Sequence, residues 1–264
     1  MGPWVSRRRH RARGGCVFQR RGRASRNRES EHIVKASPRL FVEAPRHVHN
    51  VGFANTVGLL SEQVWWTKTF LGLRCDLARL PRVRKAGVPV TMEATSTSLF
   101  RGFDQELPRC RGTSYVELLV RKDLCDSGVQ ELYVAHSDAK PAYAQWLIRP
   151  ADQDLLHRHA PGRFDHLEPD EVLLEGAFTF EAFRRMGAMV DGMAQLLRIA
   201  AGEGATSALT YVAIDNLPSL RGCANVGFDL DHVRVSVRRL GRRRSFKHDP
   251  DADASLAWGN ATAH

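Results

Sequence analysis

Residues 171–228 read EVLLEGAFTFEAFRRMGAMVDGMAQLLRIAAGEGATSALTYVAIDNLPSLRGCANVGF, and this stretch decides the fold. It opens with an apolar run at 171–179 that predicts a β-strand. Over 184–201 the apolar residues recur at helical spacing, which predicts a helix that ends at Gly202. A second apolar run at 208–214 predicts the next strand. The period of the pattern therefore changes from strand to helix and back to strand.

Two further elements follow at short intervals. Residues 218–226 predict a short helix that Gly227 closes, and the alternation over 233–240 predicts a third strand. The order strand, helix, strand, helix, strand with short links is typical of an α/β layer, because a crossover helix brings two strands parallel. We therefore expect a parallel pair at the centre of the sheet.

The sequence upstream is less regular. It predicts a helix of about 15 residues within 51–73, strands at 73–80 and 88–94, a helix at 98–107, and a β-hairpin that pairs 131–136 with 143–148 around Asp138-Ala139-Lys140-Pro141.

The polar stretch 152–169 predicts a loop or an irregular insertion, because Pro161-Gly162 interrupts any helix. His157 and His159 are two residues apart and do not share a helix face, so we expect no metal site there.

The charge of the chain is concentrated at its start. The 264 residues carry a net charge of +10, but ten arginines lie within 1–28, where there is no acidic residue. Such a segment cannot bury enough apolar surface to fold, so we predict a disordered Arg-rich tail over 1–38. A nucleic-acid-binding arm, an organelle transit peptide, and a solvated tail or mis-assigned start codon all stay open. Because the rest of the chain is formally neutral, we consider nucleic acid an unlikely partner.

Composition also bears on the compartment. Five cysteines are scattered without any C-x-x-C pair, as expected for reduced thiols in a cytoplasmic protein. No apolar run approaches the roughly 18 to 20 residues that a membrane-spanning helix needs, and no secretory signal is evident. We expect a cytoplasmic protein with no membrane partner. With 43% apolar residues, the chain can bury one substantial core.

The link between the first strand and its helix has the features of a phosphate-binding turn. A strand-to-helix crossing aims backbone N–H groups and the positive end of the helix dipole at one place. Arg184 and Arg185 add charge, and Gly187 lets the backbone approach a phosphate because it has no Cβ. A solvated helix N-terminus with a packing glycine is the alternative interpretation.

A second segment supports the interpretation of this turn as a phosphate-binding turn. After the strand at 208–214 come Asn216, Ser219 and the pair Gly227-Phe228. Together with Arg184-Arg185-Met186-Gly187, these residues resemble the GNAT acetyltransferases, in which an Arg/Gln-x-x-Gly-x-Gly/Ala turn precedes a strand that ends near an Asn. The resemblance covers about residues 130–245 and begins more loosely near Gly72. Asn216 is also suited to cap a helix.

The resemblance implies an α/β (α+β) architecture, the GNAT fold, with a mixed, mostly antiparallel twisted sheet whose central parallel strand pair is flanked by helices. We therefore expect four segments: a disordered tail at 1–38, an N-terminal helical segment at 39–71, a GNAT acyltransferase domain at 72–247, and a second disordered tail at 248–264.

The resemblance also implies acetyl-CoA as co-substrate, no metal, and direct attack of an acceptor amine on the thioester in a ternary complex. A backbone N–H near the end of the first strand would polarise the thioester carbonyl. By position in the family pattern, the CoA-binding residues would be Phe178, Thr179, Arg184, Arg185, Met186, Gly187, Ala188, Met189, Asn216 and Ser219.

Two positions depart from the family pattern. Met189 stands where Gly or Ala is usual, and Cys223 stands where many members have a Tyr that protonates the leaving CoA thiolate. A cysteine can donate a proton, since its ordinary pKa of about 8.5 is close to that of the leaving thiol. A small packing residue is the other interpretation of Cys223.

Glu175 is the candidate general base, because it is the ionisable side chain inside an otherwise apolar strand. Apolar surroundings favour the neutral form of a carboxyl group and so suit a proton acceptor. A solvent-facing carboxylate, or one paired structurally with an Arg, is the alternative. If the family layout holds, Tyr143, Gln145, Trp146 and the insertion 151–169 line the acceptor side.

The acceptor itself is not readable beyond a small-molecule or peptide amine. The sequence also contains an Arg cluster, which comprises Arg238, Arg239, Arg242, Arg243 and Arg244. This cluster could attract an acidic acceptor or the CoA 3′-phosphate; a solvated strand end is the alternative interpretation. We expect a monomer or a homodimer. Two other functions stay open, namely a GNAT-like protein that binds acyl-CoA or a partner without catalysis, and nucleic-acid binding through the N-terminal tail.

Overall fold

The computed structural model describes residues 29–33, 65–110, 112–239 and 242–263, which build one sheet with helices on both faces. In chain order the elements are β1 (Glu29–Ile33), β2 (Trp65–Asp76), β3 (Met92–Thr95), α1 (Gly102–Glu106), α2 (Gly112–Asp126), β4 (Leu132–Ser137), β5 (Lys140–Ile148), α3 (Gln153–His159), β6 (Glu171–Thr179), α4 (Ala188–Gly202), β7 (Ser207–Ala213), α5 (Leu217–Asn225), β8 (Phe228–Arg239), β9 (Arg242–His248) and α6 (Ala252–Thr262). Each helix in the described part of the chain is too short or too polar to cross a membrane.

The described strands form a nine-stranded sheet in the order β1-β9-β8-β2-β7-β6-β5-β4-β3. Their pairings are antiparallel except between β6 and β7. The parallel register runs only from Glu171 opposite Ser207 to Leu173 opposite Leu209. Beyond Leu173, β6 continues to Thr179 in register with β5 alone. We call the resulting gap between 174–179 of β6 and 210–213 of β7 the fork.

The predicted fold class is confirmed, since the sheet is mixed, mostly antiparallel, and has one parallel pair near its middle. The strand predicted at 171–179 coincides with β6, and the one predicted at 208–214 matches β7 within one residue. The predicted hairpin is also present. Its strands β4 and β5 are joined by Asp138 and Ala139, whose φ angles of 50° and 60° are typical of a tight hairpin turn.

The prediction of a helix within 51–73 is wrong for its last part, because residues 65–73 belong to β2. Residues 51–64 lie outside the described part of the chain. β2 pairs with β7 on one side and with β8 on the other, and this pairing overrides the helical spacing. The expected boundary between 71 and 72 therefore falls inside a strand. β1 likewise corrects the expected disorder of 1–38 at residues 29–33; residues 1–28 and 34–38 are not described.

Three further corrections concern helices. Residues 153–159 of the predicted irregular insertion form α3, and α2 was not predicted at all. The predicted disordered tail at 248–264 holds α6, in which Ala254 and Ala261 are buried. Asp251 caps that helix by accepting a hydrogen bond from the Ala254 N–H at 2.9 Å. Small residues at 252–262 thus pack as a helix face, whereas composition alone suggested disorder.

The core is divided by the sheet into two parts. Helices α4, α5 and α6 cover one face, and α1, α2 and α3 cover the other; we call these the α4 face and the α2 face. Because successive side chains of a strand point to opposite faces, Tyr143 and Leu147 of β5 contribute to the α4 face. Ala144 and Trp146 contribute to the α2 face.

One carboxylate links the segment after α3 to the far side of the sheet. Asp165 forms ion pairs with Arg234 of β8 and with Lys247 of β9, the second at 2.7 Å. Its backbone N–H donates to the Tyr211 hydroxyl of β7 at 3.3 Å. Burial alone raises the pKa of Asp165, but the charges of Arg234, Lys247 and His232 outweigh it and lower that pKa to about 2. Asp165 therefore fastens this segment across β7, β8 and β9.

The substitution Asp165→Asn should lower the free energy of unfolding at pH 7 by about 2 kcal/mol, because the folded pKa of about 2 lies below that of an unfolded aspartate. A depressed carboxyl pKa stabilises the fold above the unfolded pKa, and this stabilisation is lost as pH falls from about 5 through the folded pKa. Urea unfolding at pH 7 and at pH 2 measures it. The difference between wild type and Asp165→Asn should shrink at pH 2, whereas exposed Asp229→Asn should change little at either pH. An equal loss at both pH values would contradict the assignment.

Candidate functional site

The N-terminus of α4 lies at the open end of the fork. β6 ends at Thr179, a 3-10 turn follows, and Gly187 starts the helix with a φ of +81° and no side-chain cap. The N–H of Asp191 donates to the Gly187 carbonyl at 3.1 Å. The N–H groups of Ala188, Met189 and Val190 precede that hydrogen bond and point out of the first turn, so they can receive an anion.

A segment distant in sequence packs against this turn. The N–H of Gly87 donates to the Met186 carbonyl at 2.8 Å, and the N–H of Ala86 donates to Asp191 at 3.0 Å. A Cβ on Gly187 would lie 3.4 Å from the Cα of Ala86, so glycine suits both the backbone angle and the space. The contact brings exposed Arg84 and Lys85 to the end of α4 where Arg184 and Arg185 lie. Sequence reasoning missed this basic segment, although its charge run R-V-R-K was readable.

Arg184 and Arg185 differ in their surroundings. Arg184 donates to the Thr179 carbonyl at 3.3 Å and to Ser114 Oγ at 3.0 Å, so it joins the end of β6 to α2. Arg185 is exposed and has a φ of +65°, a left-handed angle that is uncommon outside glycine. Left-handed residues in such turns help backbone N–H groups converge on one anion.

The second predicted segment meets the first through α5. Asn216 accepts a hydrogen bond from the Ser219 N–H at 3.3 Å and thereby caps α5, as the helix-cap interpretation expects. A Cβ on Gly222 of α5 would lie 3.0 Å from the side chain of Met189. Met189 is therefore turned toward α5 and does not cover the N–H groups of the α4 turn.

β6 is bulged where it borders the fork. Its register with β5 shifts between Ala144 and Trp146, and Gly176 adopts a φ of +67°. A Cβ on Gly176 would lie 2.7 Å from the Trp146 ring, so the bulge requires glycine. The Ala177 carbonyl accepts a hydrogen bond from Arg121 Nη2 at 3.1 Å. The sequence signal for this bulge was a glycine inside an apolar strand, but the bulge was not predicted from it.

A small cleft opens on the α2 face beside the bulge. Glu175 lies in its wall, 8% exposed, with Arg163 Nη2 at 2.9 Å from its Oε1. Arg121 also borders the cleft, and burial lowers the pKa of its guanidinium despite the nearby carboxylates. The apolar side chains of the wall are those of Val120, Leu124, Leu156 and Phe164.

The residues predicted for the acceptor side are divided between the faces. Trp146 is fully buried on the α2 face, opposite Glu175 in register, and its indole donates to the Val129 carbonyl at 3.2 Å. Tyr143 is buried on the α4 face, and its hydroxyl donates to Gln145 at 2.7 Å. Strand alternation therefore keeps Tyr143 and Gln145 away from the cleft that holds Glu175.

Cys223 lies in the core of the α4 face, 1% exposed. Burial, together with the nearby Cys75, raises the pKa of the Cys223 thiol to about 12. A thiol with so high a pKa is a weak proton donor, which favours the packing interpretation of this residue. Among the described residues, no three His, Cys, Asp or Glu side chains are grouped so that they could hold a metal ion.

No family model matches the sequence, and no curated protein matches it. Several solved structures to which the chain is similar are named as GNAT-family acetyltransferases. One from Colwellia psychrerythraea is 15% identical over 74% of this chain and 62% of its own, with a TM-score of 0.45. A GCN5-related N-acetyltransferase from Sphaerobacter thermophilus is 8% identical over 86% and 62%, with a TM-score of 0.43. A glucosamine N-acetyltransferase region of a fungal multi-domain protein is 13% identical over 73% and 23%, with a TM-score of 0.45. This chain therefore spans less than two thirds of each of these three chains.

The substitution Gly176→Val should lower the free energy of unfolding by about 2 to 4 kcal/mol, because a side chain would meet both an unfavourable φ and the Trp146 ring. Gly202→Ala, at the end of α4 with nothing within 4 Å of the added Cβ, is the control and should change it by less than about 1 kcal/mol. Urea unfolding compares the two. If Gly176→Val were as stable as wild type, the bulge would not be a fixed part of the fold.

Proposed function

We propose that the chain is an acyl-CoA-dependent N-acyltransferase that moves an acetyl or other short acyl group from CoA to an amine. The observation that carries the proposal is the fork. There the central parallel pair opens beside the N-terminus of α4 and next to a cleft that holds a carboxylate. An extended thioester arm needs a gap with free strand edges, an anion site at one end and a reaction space at the other, and the fork adjoins both.

The residues present fit CoA. The pantetheine arm would lie along Phe178 and Thr179 at the edge of β6, where pairing with β7 has ended. The pyrophosphate would lie on the N–H groups of residues 188–190, with Arg185 and the exposed Arg84 and Lys85 adding charge. Asn216 caps α5 by accepting from the Ser219 N–H, and α5 faces Met189 of this turn at Gly222. Gly187 keeps the turn open because it has no side chain.

The bulge of β6 supplies the polarising group in this proposal. Gly176 and Ala177 have no partner in the β5 register, so this part of the backbone is turned away from the regular ladder. Arg121 holds the Ala177 carbonyl, which fixes the orientation of the peptide that follows. The N–H of Phe180 donates to the Ala142 carbonyl of β5, so by strand alternation the N–H of Phe178 also points to β5 and that of Thr179 points into the fork. The N–H of Thr179 is therefore our candidate donor to the thioester oxygen.

Glu175 is the proposed general base. The amine nitrogen attacks the thioester carbon, the C–S bond breaks, CoA leaves as a thiolate, and the amine proton passes to the Glu175 carboxylate directly or through one water. Arg163 keeps that carboxylate oriented at 2.9 Å. Cys223 has no proton-donating role in this scheme, because its pKa of about 12 makes it a weaker acid than the leaving thiol.

The acceptor of the proposal is a small-molecule or peptide amine, and acetyl-CoA is its co-substrate.

We place the protein in the cytoplasm on the ground of its cysteine pattern, since the four described cysteines are free thiols.

The substitution Gly187→Glu should weaken binding of acetyl-CoA at least tenfold, about 1.4 kcal/mol, because it puts bulk and negative charge into the phosphate turn. Gly187→Gln is the matched control, since it adds the same bulk without the charge and should weaken binding less. Isothermal titration of both variants and wild type with acetyl-CoA measures the difference. Equal affinity of Gly187→Glu and wild type would refute the assigned phosphate site.

The substitution Glu175→Gln should lower kcat by roughly 100-fold or more, in the range expected for loss of a general base, while the affinity for acetyl-CoA stays unchanged. Exposed Glu117→Gln serves as the control. CoA release with a panel of amines, followed with a thiol reagent, gives kcat. Turnover of Glu175→Gln within threefold of wild type would remove Glu175 from the chemistry. CoA binding by wild type without turnover on any amine would favour a binding protein over an enzyme.

A further inference from the structure

A group of basic side chains lies on the α2 face beyond the cleft. Arg243 of β9 and Arg234 of β8 are on this face, together with Ser236 and Ser245, which are opposite each other in register. The two serines are buried and their Oγ atoms are 3.2 Å apart. Arg234 is 5% exposed and donates to Ser245 at 3.2 Å. This face is therefore polar and positively charged in a place from which water is largely excluded.

Arg243 is the arginine of this group that has no carboxylate partner among the described residues. It donates to Ser236 Oγ at 3.3 Å and lies 5.6 Å from the ring centre of Trp66. Within the described part of the chain it forms no ion pair, and its buried Nε has no hydrogen-bond partner. Burial, followed by the charges of Arg163 and two arginines of β8, lowers the pKa of Arg243 to about 9.

The acids near Arg243 whose side chains the structure describes are already engaged. Asp165 is shared by Arg234 and Lys247, and Glu175 is bound by Arg163. A partly buried cation without a counter-charge is unfavourable, and an anion that joins it removes this cost. A guanidinium beside a hydroxyl donor matches a carboxylate or phosphate, which accept several hydrogen bonds in one plane. The group therefore has the composition of an anion-binding site.

The position of this group points to the acceptor. Arg163 contacts Glu175 in the cleft, and Asp165, two residues further along the same loop, pairs with Arg234 of the basic group. One loop therefore borders both the cleft and the basic group. Phe164 of the cleft wall packs against Tyr211, whose ring centre lies 5.5 Å from the Arg234 guanidinium. The α4 helix, whose N-terminus would hold the CoA phosphates, packs on the opposite face. An anion at Arg243 is therefore separate from CoA.

We infer that Arg243, with Ser236 and Arg163, binds the acidic group of an acceptor that carries both an amine and a carboxylate or phosphate, and that the amine of this acceptor lies at Glu175. The inference rests on the proposed function for the role of Glu175, whereas the anion site itself does not. Within the Arg cluster at 238–244, the inference assigns the anion site to Arg243 and not to Arg242 or Arg244, which are exposed.

The anion site is tested without catalysis. Melting temperatures of the full chain are measured in inorganic phosphate and in chloride at equal ionic strength, for wild type, Arg243→Gln and Arg242→Gln. Phosphate should raise the melting temperature of wild type and Arg242→Gln by several degrees more than that of Arg243→Gln, which keeps only the general effect of phosphate and its binding at the α4 turn. In chloride, Arg243→Gln should melt no lower than wild type, because the substitution removes repulsion. Equal phosphate stabilisation of all three proteins, or a lower melting point of Arg243→Gln in chloride, would overturn the site.

The acceptor is tested with matched amines, namely 2-aminoethyl phosphate against ethanolamine and 4-aminobutyrate against butylamine. CoA release should be at least tenfold faster with the acidic member of one pair, which also tells phosphate from carboxylate. Arg243→Gln should raise KM for that member without changing the affinity for acetyl-CoA. Equal rates within both pairs would overturn the acceptor assignment while leaving the acyltransferase intact. Absence of turnover with every amine would overturn the enzyme function, and the phosphate experiment would still decide the anion site.

Discussion

The rest of the structure depends on the short parallel pairing between β6 and β7. Hydrogen bonds join the two strands only as far as Leu173, after which they belong to different neighbours, β5 on one side and β2 on the other. Because β7 follows β6 through the crossover helix α4, the N-terminus of α4 must lie at the open end of this pair. A gap, an anion-binding helix start and the end of a bulged strand are thus brought to one place by a single topological constraint.

The two faces of the sheet place different groups around this gap. On the α4 face, Gly187, the basic segment that contains Arg84 and Lys85, and the start of α5 surround the phosphate turn. On the α2 face, charged side chains are held by long-range contacts, and the loop that carries Arg163 and Asp165 reaches both Glu175 and Arg234 of the basic group. Asp165 fastens the segment that carries Arg163 to β8 and β9, so the geometry of the cleft depends on an ion pair outside it. A positive excess on this face is a reason to expect an acidic ligand there.

The sequence predicted those elements whose type is determined by the local period of the apolar residues. β6, β7 and α5 lie within one residue of the predicted elements, because apolar period, glycine stops and short links agree there. α4 starts at Ala188, four residues later than predicted, since a turn with left-handed Arg185 and Gly187 comes first. Residues 65–73 of β2 were mistaken for part of a helix because their pairing partners are more than 130 residues away. α6 was missed because its small residues gain stability only by packing.

The candidate site was predictable to a smaller extent. Glu175 and the phosphate turn were predicted because each lies in a recognisable local pattern, and both assignments stay predictions. Tyr143 and Gln145 were assigned to the acceptor side because the sequence does not show which strand face borders the cleft. Arg121, Arg163 and Arg243 come from a helix, a loop and a distant hairpin, and they meet only through tertiary contacts. Hydrogen exchange of the full chain with and without acetyl-CoA tests the central claim most directly. The account predicts slower exchange at residues 176–179 and 185–190, and protection confined to other segments, or none, would contradict it.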